Sequence, residues 1–421
     1  MENTMKKIGL IAIALLLSGM MVFTDCKKKS AGGIRTANGG TSQYHIGIVT
    51  GTVSQSEDDL RGAEELIRRH GSTASGGIIQ HITYPDSFMD QMETTIIRIQ
   101  ALASDPLMKA IIVNQAVPGT AEAFLRIREI RPDIILLAGE PQDDPEVIQQ
   151  AATLSISSDF ISRGYTIPWA AKELGADTFV HISFPRHMRY GSIGLRRQIF
   201  EAACADLGMR FVYVTAPDPT SDIGEEGAQQ YIIEHAPQWI NQYGRNAVFF
   251  CTNDAHTEPL LRQLLEYGGM FVEADTPSPI LGYPGALGID LSVETDAGDF
   301  PAILAKVENA VIARGGAARF GTWAFSYGYT VSVGLGEFAK RVLDGHARLD
   351  NAADLYAVLG EFTPGAKWNG GYYIDAETGA QAQNQLLIYM DTYIMGRGFL
   401  PTTEQIVPQK YSQIKFQLRL F

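Results

Sequence analysis

The feature that most constrains this chain is a repeated alternation of short apolar runs with stretches of helical period. Residues 44–49 form a β-favouring run ending in Thr50-Gly51-Thr52, and residues 58–69 carry their apolar side chains at helical spacing. Residues 77–83 give the next strand, closed by Tyr84-Pro85, with Ser87 available to cap a helix to about Ala103. Residues 109–113 run into Asn114-Gln115 and a helix over 120–129; residues 133–138 run into Gly139-Glu140-Pro141. Apolar strands separated by helices need a mostly parallel sheet covered on both faces.

A second series begins near Thr178. Residues 179–183 lead into Phe184-Pro185-Arg186-His187 and a helix to about Leu207, and residues 210–215 lead into Ala216-Pro217-Asp218 and a helix over 225–243. Residues 247–251 lead into Thr252-Asn253-Asp254 and a helix over 258–267, and residues 270–273 lead into Ala274-Asp275. Two successive series predict an α/β protein with two Rossmann-like lobes, each with a parallel-sheet core, facing each other across a cleft. The first lobe is placed at 44–177 and the second at 178–320. Residues 321–421 then supply a crossover and a C-terminal elaboration that returns to the first lobe, with strand character at 368–373 and 412–420.

The N-terminus has its own pattern. Lys6 and Lys7 precede an apolar run over 8–23 that ends in Thr24-Asp25-Cys26. A basic segment followed by a hydrophobic run too short for a comfortable span reads as a signal peptide over 1–25. It resembles a lipoprotein signal with Cys26 as the lipid-bearing first mature residue, although Asp25 departs from the small neutral residue usual there. An uncleaved anchor and ordinary secretion are the alternatives. Residues 26–43, polar and rich in Lys, Ser, Gly and Asn, read as a flexible tether. The expected location is outside the cytoplasm, at a membrane surface.

A formal charge of -13 disfavours nucleic acid as a partner, because phosphate recognition needs a concentrated positive field. Of three cysteines, Cys204 and Cys251 read as buried apolar side chains, with a disulfide between them the weaker alternative. His45, His70 and His81 have no metal-ligand spacing, and no metal or cofactor is expected. The Gly-x-Gly-x-x-Gly turn, the phosphate-binding loop, the Gly-x-Ser-x-Gly elbow and His-Glu-x-x-His are all absent, so no enzymatic activity is expected.

Parallel sheets present ligand-binding loops at the carboxyl ends of their strands. The candidate ligand contacts are therefore Thr50, Gln55, Tyr84, Asn114, Gln115 and Glu140 on one wall. Arg186, His187, Asp218, Asn253, Asp254 and Asp275 form the other. Each competes with a structural role, since such residues also cap helices and stabilise turns. Tyr84, Phe184, Tyr283, Trp323, Phe325 and Tyr327 could offer a flat surface to a sugar or base ring, or simply fill the core.

The stretches at 46–55, 110–119, 184–187, 215–222 and 284–289 resemble an uncharacterised bacterial family of exported lipoproteins. That family is related in fold to the type I periplasmic substrate-binding proteins of ABC importers. The resemblance implies capture of a polar small molecule, such as a sugar, a nucleoside or a related compound, for a membrane permease and ATPase. A ligand-sensing receptor component, or less readily an extracytoplasmic enzyme, is the competing expectation.

Overall fold

The computed structural model describes residues 44–291, 298–375 and 378–417; Cys26, the signal segment and the tether lie outside them. The first sheet begins with five parallel strands: β1 (His45–Thr50), β2 (Ile79–Thr83), β3 (Met108–Asn114), β4 (Ile135–Gly139) and β5 (Leu154–Ser158). Their spatial order is β2-β1-β3-β4-β5, so the chain reverses direction across the sheet between β1 and β3. Side chains alternate between faces as a pleated strand requires. Ile46, Ile48, Ile112 and Leu137 pack with Ala63 and Leu66 of helix Val53–His70 and with Val331 and Leu335 of helix Tyr327–Leu343. Val49, Ile111, Val113 and Leu136 pack the other way, against Ile96, Ile99, Phe124 and Ile127 of helices Met92–Leu102 and Thr120–Ile130.

The second sheet contains β6 (Thr178–Ser183), β7 (Arg210–Thr215) and β8 (Ala247–Cys251), parallel in the order β7-β6-β8. Val180 and Phe249 face helices Gly224–Tyr243 and Asp254–Tyr267, whereas Phe179 and Phe250 face helices Phe160–Glu173 and Gly191–Asp206. The strand expected over 270–273 is reduced to single bridges, Val248 to Met270 and Phe271 to Phe320. These lead on to a small antiparallel sheet of β9 (Gly321–Trp323), β12 (Thr392–Ile394) and β13 (Gly398–Phe399).

Two further strands, β10 (Trp368–Ile374) and β11 (Gln381–Met390), return to the first sheet, where β11 pairs parallel with β5. The chain thus passes between the sheets three times: near Asp159, over 324–326, and at Asp391. One apolar cluster runs from Ile46 and Ile112 to Val180 and Phe249, so the lobes share a core rather than standing as independent bodies.

Two further local expectations are corrected. The helix predicted from Ser87 begins only at Met92, after a turn in which the Ser87 hydroxyl holds Gln91. The strand predicted over 412–420 is, in its described part, the end of a 3₁₀ turn, Gln409–Gln413, followed by irregular chain. Tyr411 anchors that turn: it is buried, stacks on Tyr165 and donates to Asp206 Oδ2 at 2.5 Å. Cys204 and Cys251 are both free and buried.

Candidate ligand-binding site

The carboxyl ends of the two parallel sheets are joined by a buried arginine. Arg163 lies on helix Phe160–Glu173, immediately after β5. It donates to Ser158 Oγ (2.8 Å) at the end of β5 and to the carbonyls of Ala274 (2.9 Å) and Asp275 (3.0 Å) beside the second sheet. Its Nε also bonds Glu273 Oε2 at 3.2 Å. Glu273 accepts in addition from Trp323 Nε1 (3.2 Å) and from the Thr392 hydroxyl. All four side chains are essentially removed from solvent, so each charge is compensated where water cannot help.

Around this tie stands a group of carboxylates drawn from both sheets. Asp58 and Asp59 follow β1 on helix Val53–His70. Asp58 accepts from the Ser326 hydroxyl, and Asp59 Oδ1 accepts from Asn114 Nδ2 at 3.2 Å. Glu140 follows β4 in a left-handed conformation (φ 44), costly for a residue other than glycine, and accepts from the Ser158 amide at 2.9 Å. Across from them, Asp254 accepts from Thr276 Oγ1 at 2.9 Å, and Asp275 pairs with the buried Arg196. Burial lifts the Asp58 carboxyl to about 6 and the Asp59 carboxyl to about 7. Asp254 rises to about 6, through burial first and then the neighbouring Asp275. Burial also raises Glu140, which feels Asp275 of the opposite sheet. Asp58, Glu140 and Asp254 are surrounded by protein yet retain contact with solvent, as on a concave surface.

The residues expected from strand ends divide into two groups. Glu140, Asp254 and Asp275 come together here, and the buried Tyr84 ring lies close enough to feel the Asp59 charge. Asn114 stands at the site but is committed to its frame, because its amide also donates to Gly328 O (3.1 Å) and Ser332 Oγ (2.8 Å). Gln115 accepts from Gln142 at 3.2 Å, and Thr50 is spent on Gly51 O and His81, both at 2.9 Å. Gln55 is exposed and donates to the Asp86 carbonyl. Arg186 holds Asp218 in a two-pronged ion pair at 2.6 and 2.8 Å, whereas Asn253 caps helix Asp254–Tyr267. His187 packs on Phe184 and bonds Thr252 Oγ1 at 3.2 Å; burial lowers its basicity.

Sequence reasoning missed Asp58, Asp59, Arg163, Arg196 and Glu273. One signal was available, because Asp59 falls on the apolar stripe of its helix with Gly62, Ala63 and Leu66, where a carboxylate is out of place. A separate cavity of about 280 Å³ lies under the C-terminal hairpin, lined among others by Asp159, Asn369, Tyr372 and Tyr389. Its one carboxylate, Asp159, is occupied in capping helix Phe160–Glu173.

Comparison with known proteins places the chain by sequence and by fold. It is 42% identical over 213 residues to an uncharacterized protein of Treponema pallidum (strain Nichols), a match spanning 51% of this chain and 95% of the relative. With a second protein of that organism it shares 46% identity over 186 residues, 43% of this chain and 84% of the relative. Among solved structures, one titled a putative transcriptional regulator from Clostridium difficile 630 superposes with a TM-score of 0.75 at 21% identity, covering 84% of this chain and 99% of that one. At that identity the likeness is one of fold. A periplasmic ribose ABC transporter protein from Conexibacter woesei DSM 14684 gives a TM-score of 0.47 at 11% identity, over 85% of this chain and 94% of that one. A family model described as "Protein of unknown function (DUF3798)" matches residues 44–321, and the chain belongs to that family.

Proposed function

We propose that this protein is a solute-binding protein. It holds a polar small molecule between the strand ends of its two parallel sheets and delivers it to the permease and ATPase of an importer. In this reading the chain is exported, anchored through Cys26, and binds without catalysing. The observation that carries the reading is that accessible polar groups from both sheets, Glu140 on one side and Asp254 and Asp275 on the other, converge within electrostatic reach around the Arg163 tie. A ligand touching both sheets favours the arrangement in which they approach, and its preference for that arrangement sets how far the equilibrium shifts.

The test is mass spectrometry of protein purified without denaturation. A bound small molecule should appear as an adduct and be released on unfolding. It should be lost from a double variant, Glu140→Ala with Asp254→Ala, that still folds. An adduct retained by that double variant contradicts the assignment of the site. Lipidation has its own readout: membrane-extracted protein should begin at Cys26 and carry acyl mass, and a mature N-terminus elsewhere refutes it.

A further inference from the structure

The site carries more negative charge than its own cations answer. Asp58, Asp59, Glu140, Glu273, Asp254 and Asp275 share the region with two guanidinium groups, each already facing a carboxylate. Arg163 is fixed to Glu273 and two backbone carbonyls, and Arg196 is ion-paired with Asp275 while its Nε has no hydrogen-bond partner. A second, independent feature points to a missing donor. Asp59, 1% exposed, has one carboxylate oxygen, Oδ2, without a hydrogen-bond partner. The Tyr327 hydroxyl, on a residue 8% exposed, lies beside Glu140 and within reach of Asp59 and Arg163, yet makes no hydrogen bond of ordinary geometry. Buried polar atoms are normally satisfied, so the carboxylate oxygen Asp59 Oδ2 marks where a donor belongs, and the Tyr327 hydroxyl beside it can give or accept a hydrogen bond.

We propose that the molecule held between the sheets is an organic amine, its protonated nitrogen seated against Glu140 between Tyr327 and the Asp254–Asp275 pair, with Asp59 behind. This rests on the solute-binding reading and names its ligand class. An ammonium group is a donor with no acceptor, which matches the unpartnered Asp59 Oδ2 and the surplus of carboxylates around it. A neutral polyol would fill hydrogen bonds but leave the charge unanswered, and an anion would meet a surplus of carboxylates. Among the described residues no three His, Cys, Asp or Glu side chains are grouped to hold a metal ion, which favours a larger cation.

The experiment is isothermal titration of the unfolded-and-refolded, ligand-free protein at pH 7.5. The probes are spermidine, L-arginine and D-glucosamine, with D-glucose, uridine, D-glucuronate and calcium chloride as counterparts. At least one amine should bind saturably and at least 10-fold more tightly than every counterpart, and Glu140→Gln should weaken it at least 10-fold. Asp254→Asn should weaken it too and serves if Glu140→Gln fails to fold. If a neutral, acidic or calcium probe matches the amines, and its binding is lost in the Glu140→Ala, Asp254→Ala double variant, the amine assignment is overturned and the solute-binding reading stands. Saturable binding by none of the probes, or amine binding unchanged in both single variants, overturns both.

Discussion

Replacing Arg163 by Met tests the tie between the sheets, because Met keeps the aliphatic stem and removes only the guanidinium. The change leaves Glu273, 2% exposed, as a buried carboxylate whose remaining partners are the neutral Trp323 and Thr392. It also strips a donor from Ser158 Oγ, Ala274 O and Asp275 O. Breaking one side of a buried ion pair costs about 3–5 kcal/mol, most of it the stranded charge. Adding Glu273→Gln removes that charge while leaving an oxygen for Trp323 and Thr392. The double variant should then lose only the hydrogen bonds, about 1–3 kcal/mol, and be more stable than Arg163→Met alone. Urea unfolding followed by far-UV circular dichroism measures all three variants. A single variant within about 1 kcal/mol of the parent, or a double variant less stable than the single, would refute the account of this network.

Four further outcomes follow from local geometry. A Cβ at Gly139 would collide with Asn114 Oδ1 and stand 2.6 Å from Val331 Cγ1, so Gly139→Ala should cost about 1–3 kcal/mol in urea unfolding. Gly360→Ala, in helix Ala352–Phe362 with open space around it, should stabilise by about 0.5–1 kcal/mol as a control. Asp59 has a folded-state pKa raised to about 7, so the folded chain keeps a proton that the unfolded chain gives up, and stability falls as pH rises from about 4 to 7. Asp59→Asn should therefore raise the urea midpoint at pH 7.5, with the gain vanishing below about pH 4. The opposite sign holds at Glu337, whose carboxyl is lowered to about 2 by the His70 hydrogen bond at 2.7 Å. Glu337→Gln should cost about 1 kcal/mol near neutrality, and that difference should shrink as pH falls from about 4.5 towards 2.

The fold was legible where local pattern and tertiary role coincide. The strands ending at Thr50, Asn114 and Ser183 are apolar runs in a buried sheet, and their period and turn residues say so directly. The strand β5 was not legible, since Leu154–Ser158 carries three serines and its pairing with β4 and β11 is supplied by chain far away. The 3₁₀ turn at Gln409–Gln413 is likewise fixed by a tertiary anchor, Tyr411 against Tyr165, that outweighs β propensity. At the site, strand-end position selected Glu140, Asp254 and Asp275 but also Gln55 and Asn253, because turns and caps use the same residue types. Arg163 lies within a helix rather than at a strand end, so that rule could not reach it.

The most direct measurement is hydrogen–deuterium exchange of the protein carrying its co-purified small molecule against the same protein after the molecule is removed. The account predicts that the bound form gains protection at the ends of both sheets together, over residues 51–59 and 140–143 and over residues 254–258 and 274–278. Protection confined to one sheet, or to residues 369–374 beneath the C-terminal hairpin, would contradict it.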